Sequence, residues 1–330
     1  VVLSLTEPKP MTIDARLQYA AVDQMYDLQF KAMGTDCRIR FTAVDKGQAV
    51  QLTRESVAWV ARFESRYSRF RDDSLIAFVN KRAGDDWIEI DDEFESLLNL
   101  CDELMFLSEG VLDPTSLPLI TLWDYRRKHQ TLPSEAEVEA ARALVGWQKV
   151  ERRSGAVRLP TRGMSLDLGG FGKEYAVDQV AGIAVSLGIQ NMMVDFGRDI
   201  RVMGAPPTRP AWHIALEDPQ RPGQHWTSLA LSNAGVASSG DYRRFFEYQG
   251  DRFGHILDPR NGRPVSNATL SVSVIASSCL EAGVLSTSAF VFGIEGGLRL
   301  IESGFGTEGC LVMENQTHQT SKFYEYVAQN

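Results

Sequence analysis

Paired cysteines are missing from this chain. The four present, Cys37, Cys101, Cys279 and Cys310, stand singly and far apart inside apolar segments, which spells out neither a disulfide framework nor a Cys-x-x-Cys metal site and leaves buried thiols as the expectation. A basic excess is missing as well. With 43 acidic against 34 basic side chains the formal charge is -9, the wrong sign for holding nucleic acid by neutralising phosphates. The longest apolar stretches, such as Leu270–Ala276 and Ser288–Phe292, carry Ser or end on Gly and fall short of the roughly 18 to 20 residues that a spanning helix needs. No transmembrane segment is expected. No period of roughly 20 to 50 residues recurs, which excludes a solenoid. No basic segment followed by an apolar run precedes Thr6, so any secretory signal is expected to be absent or already removed, and the compartment stays open.

What is present is an ordinary globular composition. Hydrophobic residues make up 44% and charged residues 23% of 330, which excludes bulk disorder and permits a sizeable core. Residues 1–24 carry Pro8 and Pro10 and little periodicity and read as a loosely held arm; residues 25–330 read as one domain. Strands are expected near Tyr26–Phe30 and Cys37–Phe41, then a helix through Val50, Val57, Val60 and Phe63. Asp92 with Glu95, and Ser134 with Glu137, have the spacing of helix-opening caps, and Gly110 closes the first of these helices. A helix over Lys173–Leu187 is stopped by Gly188. Short apolar runs at 192–196, 200–203, 212–216, 228–231 and 270–275, separated by Gly, Pro and Asn, read as strands. The class is α+β, with helices mostly early and strands mostly late.

Chemistry concentrates in two places. The first is Leu166-Asp167-Leu168-Gly169-Gly170-Phe171-Gly172-Lys173-Glu174-Tyr175, a glycine-rich turn opening a helix. Its backbone N–H groups, helix N-terminus and Lys173 suit a phosphate, although the spacing is not that of a Walker motif. The second is Ser238-Ser239-Gly240-Asp241-Tyr242, followed across a hairpin by Gly254-His255-Ile256-Leu257-Asp258-Pro259-Arg260-Asn261-Gly262-Arg263-Pro264. Asp-Pro and Asn-Gly there are turn chemistry, and His255, one of five histidines, is a candidate proton acceptor. Ala32-Met33-Gly34-Thr35, Ser68-Arg69-Phe70 through Ser74, and Gly110-Val111-Leu112-Asp113-Pro114-Thr115 through Trp123 are weak singly.

Taken together and in order, these segments resemble the ApbE family of FAD:protein FMN transferases from Met33 to Gly293. The resemblance implies an ApbE-like, T-fold-like α+β architecture, an early helical part packed on a late, mainly antiparallel sheet with FAD in the cleft. It implies transfer of FMN from FAD to a Thr or Ser hydroxyl of a partner protein, with release of AMP. By matching positions, Met33, Phe70, Leu112, Asp113, Pro114, Asp167, Lys173 and Leu257 would contact FAD, and His255 would help to deprotonate the acceptor. Gly170 and Thr287 would hold Mg²⁺. A periplasmic or cell-envelope setting is also implied, although neither signal peptide nor lipobox is present.

The pattern breaks at the metal. Where the family has Ala-Asp-x-x-x-Thr, this chain reads Ala282-Gly283-Val284-Leu285-Ser286-Thr287, and Glu174 stands where a Gly commonly follows the lysine. Mg²⁺ favours charged oxygen ligands, so a weakened or absent site is expected, improved by Gly283→Asp. Glu281 would have to bend inward from about 200° around the helix. Arg198, in place of a Gly, either shares in neutralising the pyrophosphate or is an exposed salt-bridged side chain. Two alternatives to transfer therefore stand beside it: FAD binding without turnover, and hydrolysis of FAD to FMN and AMP.

Overall fold

The structure is a computed structural model that describes residues 8–9, 11–127 and 131–328. Among these the helices are α1 (Lys46–Tyr67), α2 (Leu75–Lys81), α3 (Asp92–Leu107), α4 (Leu117–Leu122), α5 (Glu135–Arg142), α6 (Gly172–Ser186) and α7 (Cys279–Ser303). Local chemistry sets their ends. Ser134 accepts from the Glu137 N–H while the Glu137 carboxylate accepts from the Ser134 N–H, the reciprocal cap that the spacing predicts for α5. α3 is capped one residue earlier than expected, by Asp91 accepting from the Phe94 N–H at 3.0 Å. Gly188 follows α6 with φ 79°, a left-handed stop that glycine reaches without strain.

Contacts divide the chain into two compact units, each drawn from three segments: 1–9, 65–170 and 241–268 in the first, 10–64, 171–240 and 269–330 in the second. The sequence pointed to a single domain over 25–330. The larger unit holds a nine-stranded sheet in which chain order is also spatial order. Its strands are β1 (Ala15–Ala20), β2 (Met25–Ala32), β3 (Thr35–Phe41), β4 (Met192–Phe196), β5 (Asp199–Met203), β6 (Ala234–Gly240), β7 (Thr269–Ala276), β8 (Glu308–Met313) and β9 (Thr317–Gln319). Every pairing is antiparallel. β3 meets β4 with Cys37 opposite Phe196, so early and late segments share one sheet. Leu28, Phe30, Ile39, Phe41, Val194 and Phe196 pack in one cluster with Leu52 and Val60 of α1 and Val177 and Val180 of α6. A second cluster joins Ile200, Val202, Val236 and Ile275 to Trp212, Ile214, Leu229 and Leu231 of an added two-stranded ribbon.

The smaller unit contains α2 to α5, a three-stranded sheet of Ile88–Glu89, Ala156–Arg158 and Glu151–Arg153, and the hairpin Phe245–Tyr248 with Asp251–Gly254. Phe253 stacks on both Phe246 and Trp123, which anchors the hairpin beside α4.

The α+β class stands, with one correction and one extension. Ala15–Ala20, expected as part of a loose arm, is the edge strand β1, paired along its length with β2; residues 1–7 and 10 of that arm lie outside the described residues. Of the nine strands six are late, as expected, and β2 and β3 cover the two early strands that the sequence pointed to. Finally, α7 runs from Cys279 to Ser303, far beyond the helix around Ala282–Thr287 that the resemblance implied, and by length and composition it is apolar enough to cross a membrane; 61% of its most apolar window is buried within the fold, the behaviour of a core helix. Gly293, with φ 70° inside α7, marks a kink between two helical stretches. The buried-thiol expectation holds: the cysteines are free and buried, and burial pushes Cys37 and Cys310 up to about 12.

Candidate active site

In the smaller unit the expected site residues are bound together by backbone hydrogen bonds. The Asp113-Pro114-Thr115 turn follows α3, and the Asp113 carboxylate accepts from the Thr115 N–H (2.8 Å), the Thr115 hydroxyl (2.6 Å) and the Trp147 N–H (3.0 Å). Both of its oxygens therefore brace the turn. The Pro114 carbonyl accepts from the Asp167 N–H at 2.8 Å, and Asn80 of α2 exchanges two bonds with the backbone of Leu166. These bonds fix the start of the glycine-rich segment. Asp167 then accepts from the Gly169 N–H at 2.9 Å and pairs with Arg69 at 2.9 Å. Burial pushes its carboxyl above the ordinary range, with Arg69 and the Gly169 N–H pulling the other way. Leu112 stands over Gly170, 3.3 Å from where a Cβ there would lie.

Phe70 is 69% exposed, its ring flanked by Arg69 at 4.2 Å and Arg126 at 5.6 Å. Leu257 pairs with Pro264 in the short hairpin that also sets Asp258 against Arg263. The Trp123 indole N–H donates to the Gly262 carbonyl at 2.9 Å, tying the Leu-Trp segment to that hairpin. Beside it His255 donates its backbone N–H to the Arg244 carbonyl at 3.0 Å and meets Tyr125 edge-on, ring centres 6.0 Å apart. Its Nδ1 is buried without a hydrogen-bond partner among the described residues. Burial, then the Arg244 charge, lowers this imidazole from 6.5 to about 4, against a smaller upward pull from the Arg244 backbone. His255 is therefore neutral near pH 7 and able to accept a proton.

In the larger unit two tight turns lie side by side. Met33-Gly34 joins β2 to β3 with φ 53° and 71°, and Gly197-Arg198 joins β4 to β5 with φ 64° and 77°, both in the left-handed pair that suits two-residue hairpins. A Cβ at Gly197 would lie 2.3 Å from the Thr35 hydroxyl oxygen, so only glycine fits where the turns touch. The Met33 N–H is already taken, donating to Glu64 at 2.7 Å. Lys173, second residue of α6, pairs with the buried Asp199 that opens β5 and lies 3.8 Å from Glu174. Phe171, at the N-cap of α6, makes no side-chain cap bond, which leaves the positive end of the helix dipole without that partner. Arg198 pairs with Glu217; of its two expected roles the salt-bridged one is observed.

The two expected metal positions fall in different units, Gly170 at the end of the first and Thr287 in the second. The Thr287 hydroxyl lies 2.8 Å from that of Ser239, which contacts Ser286 at 2.9 Å. Among the described residues no three His, Cys, Asp or Glu side chains gather for a metal ion.

The ApbE family model matches residues 33–311. The chain belongs to the ApbE family. Similar ApbE relatives include the FAD:protein FMN transferase of Vibrio cholerae, 32% identical over 72% of each chain, and that of Haemophilus influenzae, 31% identical over 84% of each. Among solved structures, the ApbE protein of Thermotoga maritima superposes with a TM-score of 0.81 at 29% identity, covering 93% of this chain and all of that one. The Pseudomonas stutzeri flavinyl transferase ApbE gives 0.80 at 28% identity, covering 98% and 99%. Within this ApbE chain the sequence reading missed Arg69, Glu64, Asp199 and Glu174 as partners of site residues. Arg69 sits inside a quoted motif, and only its distant partner Asp167 gives it meaning; nothing in the spacing couples Lys173 to Asp199 or Met33 to Glu64.

Proposed function

We propose that this chain is an FAD:protein FMN transferase. The hydroxyl oxygen of an acceptor Thr or Ser bonds to the flavin-side phosphorus of FAD, the bridging P–O bond breaks, AMP leaves, and the hydroxyl proton passes to a base. The observation that carries the reading is the family match over residues 33–311 with relatives of that name. The geometry supports it in kind. Phosphoryl transfer asks mainly for positioning and charge neutralisation. The uncapped start of α6 and Lys173 suit the pyrophosphate, the exposed ring of Phe70 offers a stacking face, and neutral His255 with its unpartnered Nδ1 suits the base. Mg²⁺, when bound, would supply further neutralisation of the phosphates, with the Thr287 hydroxyl among the oxygens that would hold it.

The test is to incubate the chain with FAD, Mg²⁺ and an acceptor protein flavinylated by one of the relatives, and to follow AMP release and acceptor mass together. AMP equal to covalent flavin is expected. AMP without covalent flavin would replace transfer by hydrolysis, and FAD binding without AMP would leave only a binding module.

A further inference from the structure

We propose that Glu174 provides the metal-binding carboxylate of this chain, reaching from α6 into the space over Gly283 on α7; the inference rests on the transferase reading of the same site. The geometry at Gly283 carries it. A Cβ at that position would lie 2.6 Å from Glu174 Cγ, 3.2 Å from Cδ and 3.3 Å from Oε1. The volume that a side chain at 283 would enter is already filled, and filled by a carboxylate. Two departures that look independent in the sequence, a glutamate after Lys173 and a glycine after Ala282, are thus one exchange across the α6–α7 contact. Each makes room for, or takes the place of, the other.

The state of the Glu174 carboxylate fits a cation. Its side chain is 13% exposed, its Oε1 lies 3.8 Å from Lys173 Nζ, and its Oε2 is buried with no hydrogen-bond partner among the described residues. A buried carboxylate oxygen without a partner is costly, and a bound divalent ion would satisfy it. Thr287 stands one helical turn beyond Gly283, on the same face of α7, so a neutral hydroxyl oxygen borders the same space. One carboxylate with neutral oxygens and retained water is the donor set that Mg²⁺ takes.

Neighbouring acids are engaged elsewhere. Glu281 accepts from the Ser277 N–H at 3.2 Å and hydroxyl at 2.7 Å. Asp178 accepts from the N–H groups of Cys279 and Leu280, at 3.0 and 2.8 Å, at the start of α7. Asp199 pairs with Lys173. Because Lys173 is also close to Glu174, the cation competes with an ammonium for this carboxylate, and the negative charge of FAD should tip the balance. Metal binding is therefore expected to depend on FAD.

The experiment uses Mn²⁺ as a paramagnetic probe of the full chain, titrated by EPR with and without FAD, with FAD affinity measured separately by flavin fluorescence in metal-free buffer. The unmodified chain should bind Mn²⁺ when FAD is present. Glu174→Gln should weaken this by at least the roughly 10- to 100-fold that losing an outer-shell partner costs, the variant's own metal-free FAD affinity being measured in parallel so that any effect through Lys173 is separated from the loss of metal. Gly283→Asp alone should destabilise the fold, since its Cβ meets Glu174. The exchange variant Glu174→Gly with Gly283→Asp should regain Mn²⁺ affinity, which a merely structural glutamate would not do. Glu174→Gln binding Mn²⁺ as tightly as the unmodified chain overturns the assignment while leaving the transferase reading intact. So does a folded exchange variant that does not recover Mn²⁺. An unmodified chain that binds no FAD overturns both.

Discussion

His255 has the most directly testable chemistry. A base that acts only on the acceptor proton contributes to the rate and not to FAD binding. His255→Ala is expected to lower AMP release about 10²- to 10⁴-fold with FAD affinity nearly unchanged, measured by stopped assay and fluorescence titration; equal loss of both would make it a structural residue. Its burial has a second consequence. The fold keeps this imidazole neutral down to about 4, whereas the ordinary value is 6.5, so between those values the unfolded chain binds more protons. The stability gained by holding it neutral is complete above 6.5 and is lost as pH falls toward 4. The melting temperature of the unmodified chain should fall relative to that of His255→Phe as pH drops through that window; a constant difference would mean that His255 is not buried neutral. Asp113 makes a contrasting case. With its oxygens bracing Thr115 and Trp147, Asp113→Ala should destabilise by about 1–3 kcal/mol through buried N–H groups left unpaired, read as a lowered denaturant midpoint. A midpoint within error of the unmodified chain would show that the brace is dispensable.

Between elements, the contact where the Gly197-Arg198 turn meets Thr35, just after the Met33-Gly34 turn, is a tight constraint. Gly197→Ala combines a left-handed φ with a Cβ 2.3 Å from the Thr35 hydroxyl oxygen. It should destabilise by about 1–3 kcal/mol, and Thr35→Ala in the same chain should recover part of that loss, a coupling that a double-mutant cycle measures. Additive losses would show that the turns do not bear on each other. Such constraints explain which elements were legible in the sequence. α5 announces itself through Ser134 and Glu137, and α6 through its apolar face and Gly188, because caps and periodicity are local. β1 was not legible because an edge strand half exposed to water, Ala-Arg-Leu-Gln-Tyr-Ala, has little apolar content to mark it. The full length of α7 was hidden for the opposite reason: buried on many sides and holding four glycines (Gly283, Gly293, Gly296 and Gly297), it shows no clean stripe and reads as broken beyond Thr287. The candidate site was legible as ordered motifs. Its pairings, Arg69 with Asp167, Lys173 with Asp199 and Glu174 over Gly283, join residues that only the folded chain brings together.

At the scale of the whole molecule, the way the units are threaded makes a prediction about cutting the chain. Thr161, Arg162 and Gly163 are exposed in sequence between Leu159 and the glycine-rich segment, and a protease that cleaves after Arg162 would separate residues 1–162 from 163–330. If each unit were one continuous half, the pieces would part. Instead the larger unit takes β1 to β3 and most of α1 from the first piece and β4 to β9, α6 and α7 from the second, and the smaller unit likewise draws on both. Parting them would expose Leu28, Phe30, Ile39 and Phe41, now buried with Val177, Val194 and Phe196. Each such side chain contributes about 1.5–3 kcal/mol when fully buried, and these seven, with the rest of the shared core and the β3–β4 ladder, are set against an association cost of about 4–15 kcal/mol at 1 M standard state. The nicked chain is therefore expected to elute as one species with native circular dichroism and to split only in denaturant. Two fragments that separate in native buffer, each still folded, would show that the halves are independent and that the β3–β4 pairing of Cys37 with Phe196 does not hold the sheet together.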